Sequence, residues 1–209
     1  MNHMEIRPAV LADLDEIEKI YAAARRFMAE NGNPTQWKNG YPWRVLLEED
    51  IGLEKLYVAL KDNEICGVFV FVLGEDPTYG YMEDGTWRSN LPYGTIHRIA
   101  SRSSGVFEAC LEFCRSKSAH IRVDTHADNK PMQHLAEKHG FSKRGIIYVE
   151  DGTPRIAYDL LSKRACTKWY RLLNFMFSWY SGQRRSSGRC NNRCSGLRRK
   201  PPCRSWARG

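Results

Sequence analysis

The chain has 209 residues, 42% hydrophobic and 27% charged, which is an ordinary globular composition and excludes fibrous and wholly disordered classes. Its formal charge of +8 is unevenly placed: 13 of the 32 Lys and Arg and none of the 24 Asp and Glu lie from Lys163 onward, so residues 1–162 hold 19 basic against 24 acidic residues, a net of −5. The basicity therefore belongs to the tail, which excludes a whole-chain nucleic-acid reading from charge, and the absence of an 18-residue apolar run excludes a spanning helix.

Residues 1–162 read as one domain and 163–209 as a basic tail rich in Cys, Arg and Ser. The start, MNHMEIRP, lacks an apolar signal core, and Cys66, Cys110 and Cys114 sit in apolar surroundings. Both point to a cytoplasmic protein with buried free thiols. In chain order, Ile6 to Val10 is a short strand kept near an edge by Pro8. Asp13 with Glu16 marks the start of a helix whose stripe is Leu14, Ile17, Tyr21, Ala24 and Met28, ended by Gly32 and Pro34. An aromatic loop with Trp37, Tyr41 and Trp43 follows, then a helix near 44–53. Leu56–Leu60 and Ile65–Leu73 form an antiparallel hairpin about the turn 61–64, and a long loop, 74–90, carries Tyr79, Glu83, Asp84 and Trp87. Loops of that length are functional or mobile.

Thr95 to Ala100 is a β-branched strand feeding the turn Ser101–Ser104 and a helix that opens at Gly105. Free N–H groups and the helix dipole make such a turn an anion site. That helix carries Val106, Phe107, Cys110, Leu111 and Cys114 on one stripe. His120–Thr125 is the next strand, parallel to 95–100 across a right-handed crossover. Asn129 caps a helix with Pro131 in its first turn, Met132, Leu135, Ala136 and His139 on its stripe, and Gly140 at its end. Strands at about 142–149 and 155–161 flank the turn 150–153. The order β-α-α-β-β-β-α-β-α-β-β is an α/β fold with a mixed sheet and helices on both faces.

This order, with Arg102-Ser-Ser-Gly105 after the central strand and Asn129-x-x-Met-x-x-Leu135-x-Glu137-Lys-x-Gly140-Phe141 one helix and one strand later, resembles the GNAT superfamily of N-acetyltransferases over about residues 4–162. Ile6-Arg7-Pro8 with Asp13 is also typical of the family's opening strand and helix. The resemblance implies that strands 95–100 and 120–125 splay apart to admit acetyl-CoA as cosubstrate. Its pantetheine arm would pair with the backbone at Ile99, Ala100 and Ser101. Its pyrophosphate would rest on Arg102, Ser103, Ser104, Gly105 and Val106, and Asn129 would bond the arm. The family often carries an acid tyrosine where this chain has Ala136, so either Tyr148 or a water substitutes, or chemistry is slow, or the thiolate leaves unprotonated.

An acceptor amine is protonated at neutral pH and needs a base before it attacks. The candidates are His97 on the central strand and Glu83 or Asp84 in the loop before it. Strand alternation points His97 and Arg98 to opposite faces. Trp37, Tyr41, Trp43 and His126 are the candidates for holding the acceptor. Asp124-Thr-His126 hints at a triad, but no Gly-x-Ser-x-Gly elbow accompanies it, and the His and Cys spacings do not suit zinc, so no metal is expected. The expected function is acetyl transfer to a primary amine of a small molecule or protein, with room for a homodimer. The alternatives are a CoA-binding module without catalysis, or a nucleic-acid or membrane-surface binder acting through the tail. The tail's composition predicts disorder.

Overall fold

The computed structural model describes residues 4–162, and the tail expectations for 163–209 lie outside the described residues. Seven strands form one sheet: β1 (Glu5–Pro8), β2 (Leu56–Lys61), β3 (Glu64–Leu73), β4 (Gly94–Ser101), β5 (His120–Thr125), β6 (Ser142–Tyr148) and β7 (Pro154–Leu161), in the order β1-β2-β3-β4-β5-β7-β6. Every pairing is antiparallel except β4 with β5. The sheet is mixed, as expected. Pro8 ends the edge strand β1, where its missing N–H costs no ladder bond.

Four helices cover the sheet: α1 (Leu14–Glu30), α2 (Arg44–Gly52), α3 (Val106–Lys117) and α4 (Lys130–Lys138). Ile17, Ile20 and Tyr21 of α1 and Leu47 of α2 pack with Leu56, Val58, Val68 and Val70 in one core. On the other face, Val106, Phe107, Cys110, Leu111 and Cys114 of α3 and Ala136 of α4 pack with Phe69, Phe71, Ile96, Ile121, Val123 and Tyr158. The predicted apolar stripes face the sheet, and the three body cysteines are free and buried. Burial pushes the Cys110 and Cys114 thiols up, so they stay neutral.

Two local expectations change. Asp13 does not cap α1 with its side chain: its carboxylate takes both Nη atoms of Arg7, at 2.7 and 2.9 Å, and the Val10 N–H at 2.9 Å, at the end of a 3-10 turn over Leu11–Asp13. Charge-assisted bonds to Arg7 outcompete the helix end for that carboxylate. The 74–90 loop, expected to be functional or mobile, is pinned together with the residues up to Tyr93, and of the two expectations the site residue Asp76 matches the first. Arg88 Nε donates to the fully buried Asp159 at 2.7 Å, and the Arg122 guanidinium lies between the rings of Trp87 (3.8 Å) and Tyr93 (3.6 Å).

Candidate active site

β4 and β5 touch only at their first residues, Gly94 with Ile121 and Thr95 with Arg122, and then diverge. Beyond Thr95 the β5-facing edge of β4 makes no ladder bonds to β5, as the predicted splay requires. On its other edge β4 carries a bulge: Val68 pairs with Ala100 and Val70 with His97, so Arg98 and Ile99 together oppose Phe69. Arg98 adopts φ 49°, strained for a non-glycine residue, and its carbonyl accepts from the Tyr21 hydroxyl at 2.9 Å. The bulge overturns strict alternation. His97 and Arg98 border the same cleft, because the extra residue resets the pleat between them.

The cleft has a volume of about 1270 Å³ and is bordered by β4 from Ile96 to Arg102, the 35–43 loop, the end of β5, the start of α4 and the β6–β7 turn. His97 is held on two sides. Its Nε2 lies 2.8 Å from Asp76 Oδ2, and its Nδ1 lies 4.0 Å from Asp124 Oδ1. Asp124 in turn accepts the Tyr79 hydroxyl at 2.7 Å. Burial pushes the Asp76 carboxyl up, but hydrogen bonds from His97 and Thr78 outweigh it and hold it at about 2. Asp76 is thus a carboxylate at neutral pH and can only accept, so in the neutral imidazole Nε2 carries the proton and Nδ1 the lone pair.

Asp76 escaped the sequence reading, and Tyr79 appeared there only as a loop aromatic. The signal was present in Asp76-Pro77-Thr78, where the Asp76 carboxylate accepts the Thr78 N–H at 2.9 Å and starts a short 3-10 turn that fixes the loop beside β4. Asp124, read from sequence beside His126, instead faces His97. Thr125 at the end of β5 also lines the cleft, and its hydroxyl is buried without a partner.

The other predicted residues are placed as follows. Ile99, Ala100, Ser101 and Arg102 border the cleft, and Arg102 pairs with Glu16 of α1. Ser103 and Ser104 complete the turn, and Gly105, at φ 85°, leads into α3 with Val106 its first residue. Only a residue without Cβ takes that left-handed conformation cheaply. Phe107 turns into the core, 5.1 Å from the His139 ring and 6.3 Å from Phe141, so its bulk is buried beneath the first turn. Asn129 lies on the cleft, but both ends of its amide are engaged: Oδ1 accepts from Met132 N at 3.1 Å, and Nδ2 donates to Gln36 at 2.9 Å.

Trp37, Tyr41 and Trp43 all line the cleft, with Trp37 edge-on to Tyr21 and Tyr41 edge-on to Trp43. Tyr41 also accepts from Arg98 Nη1 at 3.1 Å. Glu83, Asp84, Tyr148 and His126 are not among the residues lining it. Glu83 forms a backbone bridge to Ile146 and bonds the exposed Tyr148 hydroxyl through its carboxylate, at β6, which two strands, β5 and β7, separate from β4. The His126 ring turns back on its own loop, accepting from Asp128 N at 3.2 Å. Ala136 is fully buried and offers no hydroxyl.

No protein-family model and no curated protein sequence matches the chain. Among solved structures, a GNAT-family acetyltransferase from Streptococcus agalactiae superposes with a TM-score of 0.69 at 28% identity, over 77% of this chain and 96% of that one. This is the fold of the GNAT acetyltransferases. A GNAT-family acetyltransferase from Listeria monocytogenes (TM-score 0.57, 17% identity, 76% of this chain and 94% of that one) repeats the GNAT architecture. So does Ard1 from Thermoplasma volcanium (TM-score 0.51, 16% identity, 76% and 97%). These two likenesses concern fold alone. Among the described residues of this GNAT-like fold, no group of three or more His, Cys, Asp or Glu is placed to hold a metal, and no helix is long and apolar enough to cross a membrane.

Proposed function

We propose that this chain transfers an acetyl group from acetyl-CoA to a primary amine, with His97 as the general base. The observation that carries the reading is the His97–Asp76 pair, at 2.8 Å, set in the cleft where β4 and β5 part. The residues present suit acetyl-CoA: the open β4 edge offers backbone groups at Ile99 to Ser101, the Arg102–Gly105 turn offers N–H groups for phosphate, and the Thr125 hydroxyl awaits a polar partner. Bound there, acetyl-CoA supplies an activated thioester.

His97 Nδ1 takes the proton that the acceptor ammonium must lose before its nitrogen can attack. The imidazolium so formed is stabilised by Asp76, and by Asp124 at 4.0 Å. Ala136 has no hydroxyl and Tyr148 lies outside the cleft, so this reading gives neither of them the proton and assigns it to His97. Trp37, Tyr41 and Trp43 wall the side where the acceptor would enter.

The test is thiol release from acetyl-CoA over a panel of primary amines. Release is expected with wild type, and His97→Gln should lower kcat/KM by about 10²- to 10⁴-fold while CoA still raises the melting temperature. Stabilisation by CoA without release from any amine would identify a CoA-binding module instead. No stabilisation and no release would remove the acetyl-CoA reading altogether.

A further inference from the structure

Arg155, the second residue of β7, pairs with Ile147, lines the cleft and is only 8% exposed. Its neighbours among the cleft arginines are neutralised, Arg98 by Asp50 and Arg102 by Glu16. Arg155 is not. Its Nη1 donates to the adjacent Pro154 carbonyl at 3.1 Å, and no carboxylate among the described residues lies within 4 Å of its guanidinium. Asp151, in the adjoining turn, uses its carboxylate on the Thr153 N–H, at 2.9 Å, and on the Thr153 hydroxyl, and reaches Arg155 only through space, without an ion pair. A nearly buried guanidinium with no carboxylate in ion-pair range is costly, and a fold keeps one where something outside the chain completes it.

Its position says what that something carries. Asp124 pairs with Ala157 across β5 and β7, so Arg155 is the diagonal neighbour of Asp124 on the same face of the sheet. Such diagonal neighbours stand about 7–8 Å apart, and Asp124 also faces His97 at 4.0 Å. One wall of the cleft therefore runs from a base flanked by carboxylates to an unpaired buried cation, the span of a small molecule with two unlike ends. Glu150 and Asp151 also border the cleft, but both are exposed at its rim, where water screens them.

We propose that the acceptor is a small primary amine that also bears an anionic group, a carboxylate or a phosphate. Arg155 pairs with that group while the amine lies at His97. The inference rests on the acetyl-transfer reading and adds the acceptor's chemical class. A guanidinium matches either anion through paired N–H donors, which is why carboxylate and phosphate share one site here.

The experiment uses the full chain and three acceptor pairs matched except for the anion: glycine with methylamine, lysine with 1,5-diaminopentane, and phosphoethanolamine with ethanolamine. In at least one pair the anionic member should be favoured by about 10- to 100-fold in kcat/KM, the range of a hydrogen-bonded charge. Arg155→Met should bring that ratio towards one, and Arg155→Lys should retain part of it. Calorimetry with unacetylated CoA present should show the anionic member binding wild type and lost in Arg155→Met. If Arg155→Met does not fold, the wild-type ratios decide alone.

Acetylation of amines with no preference for the anionic member in any pair overturns this inference and leaves acetyl transfer standing. So does an Arg155→Met variant that weakens acetyl-CoA and keeps the acceptor ratio, which would assign Arg155 to the cosubstrate. No thiol release with any acceptor sinks the transfer reading, and this inference with it.

Discussion

Asp76 shows how a single side chain sets both the chemistry and the stability of the cleft. Its carboxyl is held at about 2 against an ordinary 3.8, so the folded state binds its proton more weakly than the unfolded chain does. The stabilisation it gives is complete above pH 4 and is lost as pH falls through about 2. A shift of that size corresponds to about 2 kcal/mol. Asp76→Asn should therefore lower the urea-unfolding free energy by about that amount at pH 7, and the gap to wild type should close between pH 4 and 2. A gap independent of pH would mean that Asp76 acts through packing alone. The same substitution should reduce kcat more than KM, because Thr78 holds the amide oxygen and the amide NH2 then faces His97 Nε2, which favours the other tautomer.

The 74–93 segment positions that residue, and it is held from its far end. Asp159, fully buried on β7, accepts from Arg88 Nε at 2.7 Å and from the Arg88 N–H at 3.3 Å, and its carboxylate lies 3.5 Å from His120 Nε2. Burial pushes the Asp159 carboxyl up, but the nearby His120 ring and the bonds from Arg88 outweigh it and keep the group charged. Removing one partner of such a set strands the others. Asp159→Ala should cost about 3–5 kcal/mol in urea unfolding and expose the segment to proteases below the global transition. Nearby, a Cβ on Gly85 would stand 1.7 Å from the Arg144 carbonyl oxygen, a backbone atom of β6. Gly85→Ala should therefore break the Glu83–Ile146 bridge, read as lost amide protection at Ile146, whose N–H donates to Glu83 at 2.8 Å.

For the whole molecule, the cores on the two faces of the sheet draw on residues 4–160, and the last described strand closes with Ser162 N–H donating to the Ala119 carbonyl at 2.8 Å. A chain ending at Ser162 should thus keep the melting temperature and thiol-release rate of the full chain. Its net charge should fall from +8 to −5, visible as a reversed order of elution on ion exchange. A drop in melting temperature on truncation would show that 163–209 contributes to the fold.

The sequence by itself determined the elements, because their signals are local: the helical stripe of Cys110, Leu111 and Cys114, the Asn129 cap, the Gly105 turn and the edge position of Pro8 each depend on residues a few positions apart. It also determined the fold family, since strand, turn and helix recur in a fixed order. Tertiary structure alone decided which side chains meet. His97 finds Asp76 across 21 residues and Asp124 across 27, and only the splay of β4 from β5 and the pinned loop bring them together. The bulge at Arg98 defeated the alternation rule, because one extra residue changes the face of everything beyond it. Glu83 and Tyr148 read as site residues from their chemistry, yet the sheet order sets them at β6, outside the cleft. Arg155 gave no signal in the sequence: that it is buried and unpaired depends on where every carboxylate of the folded domain comes to rest.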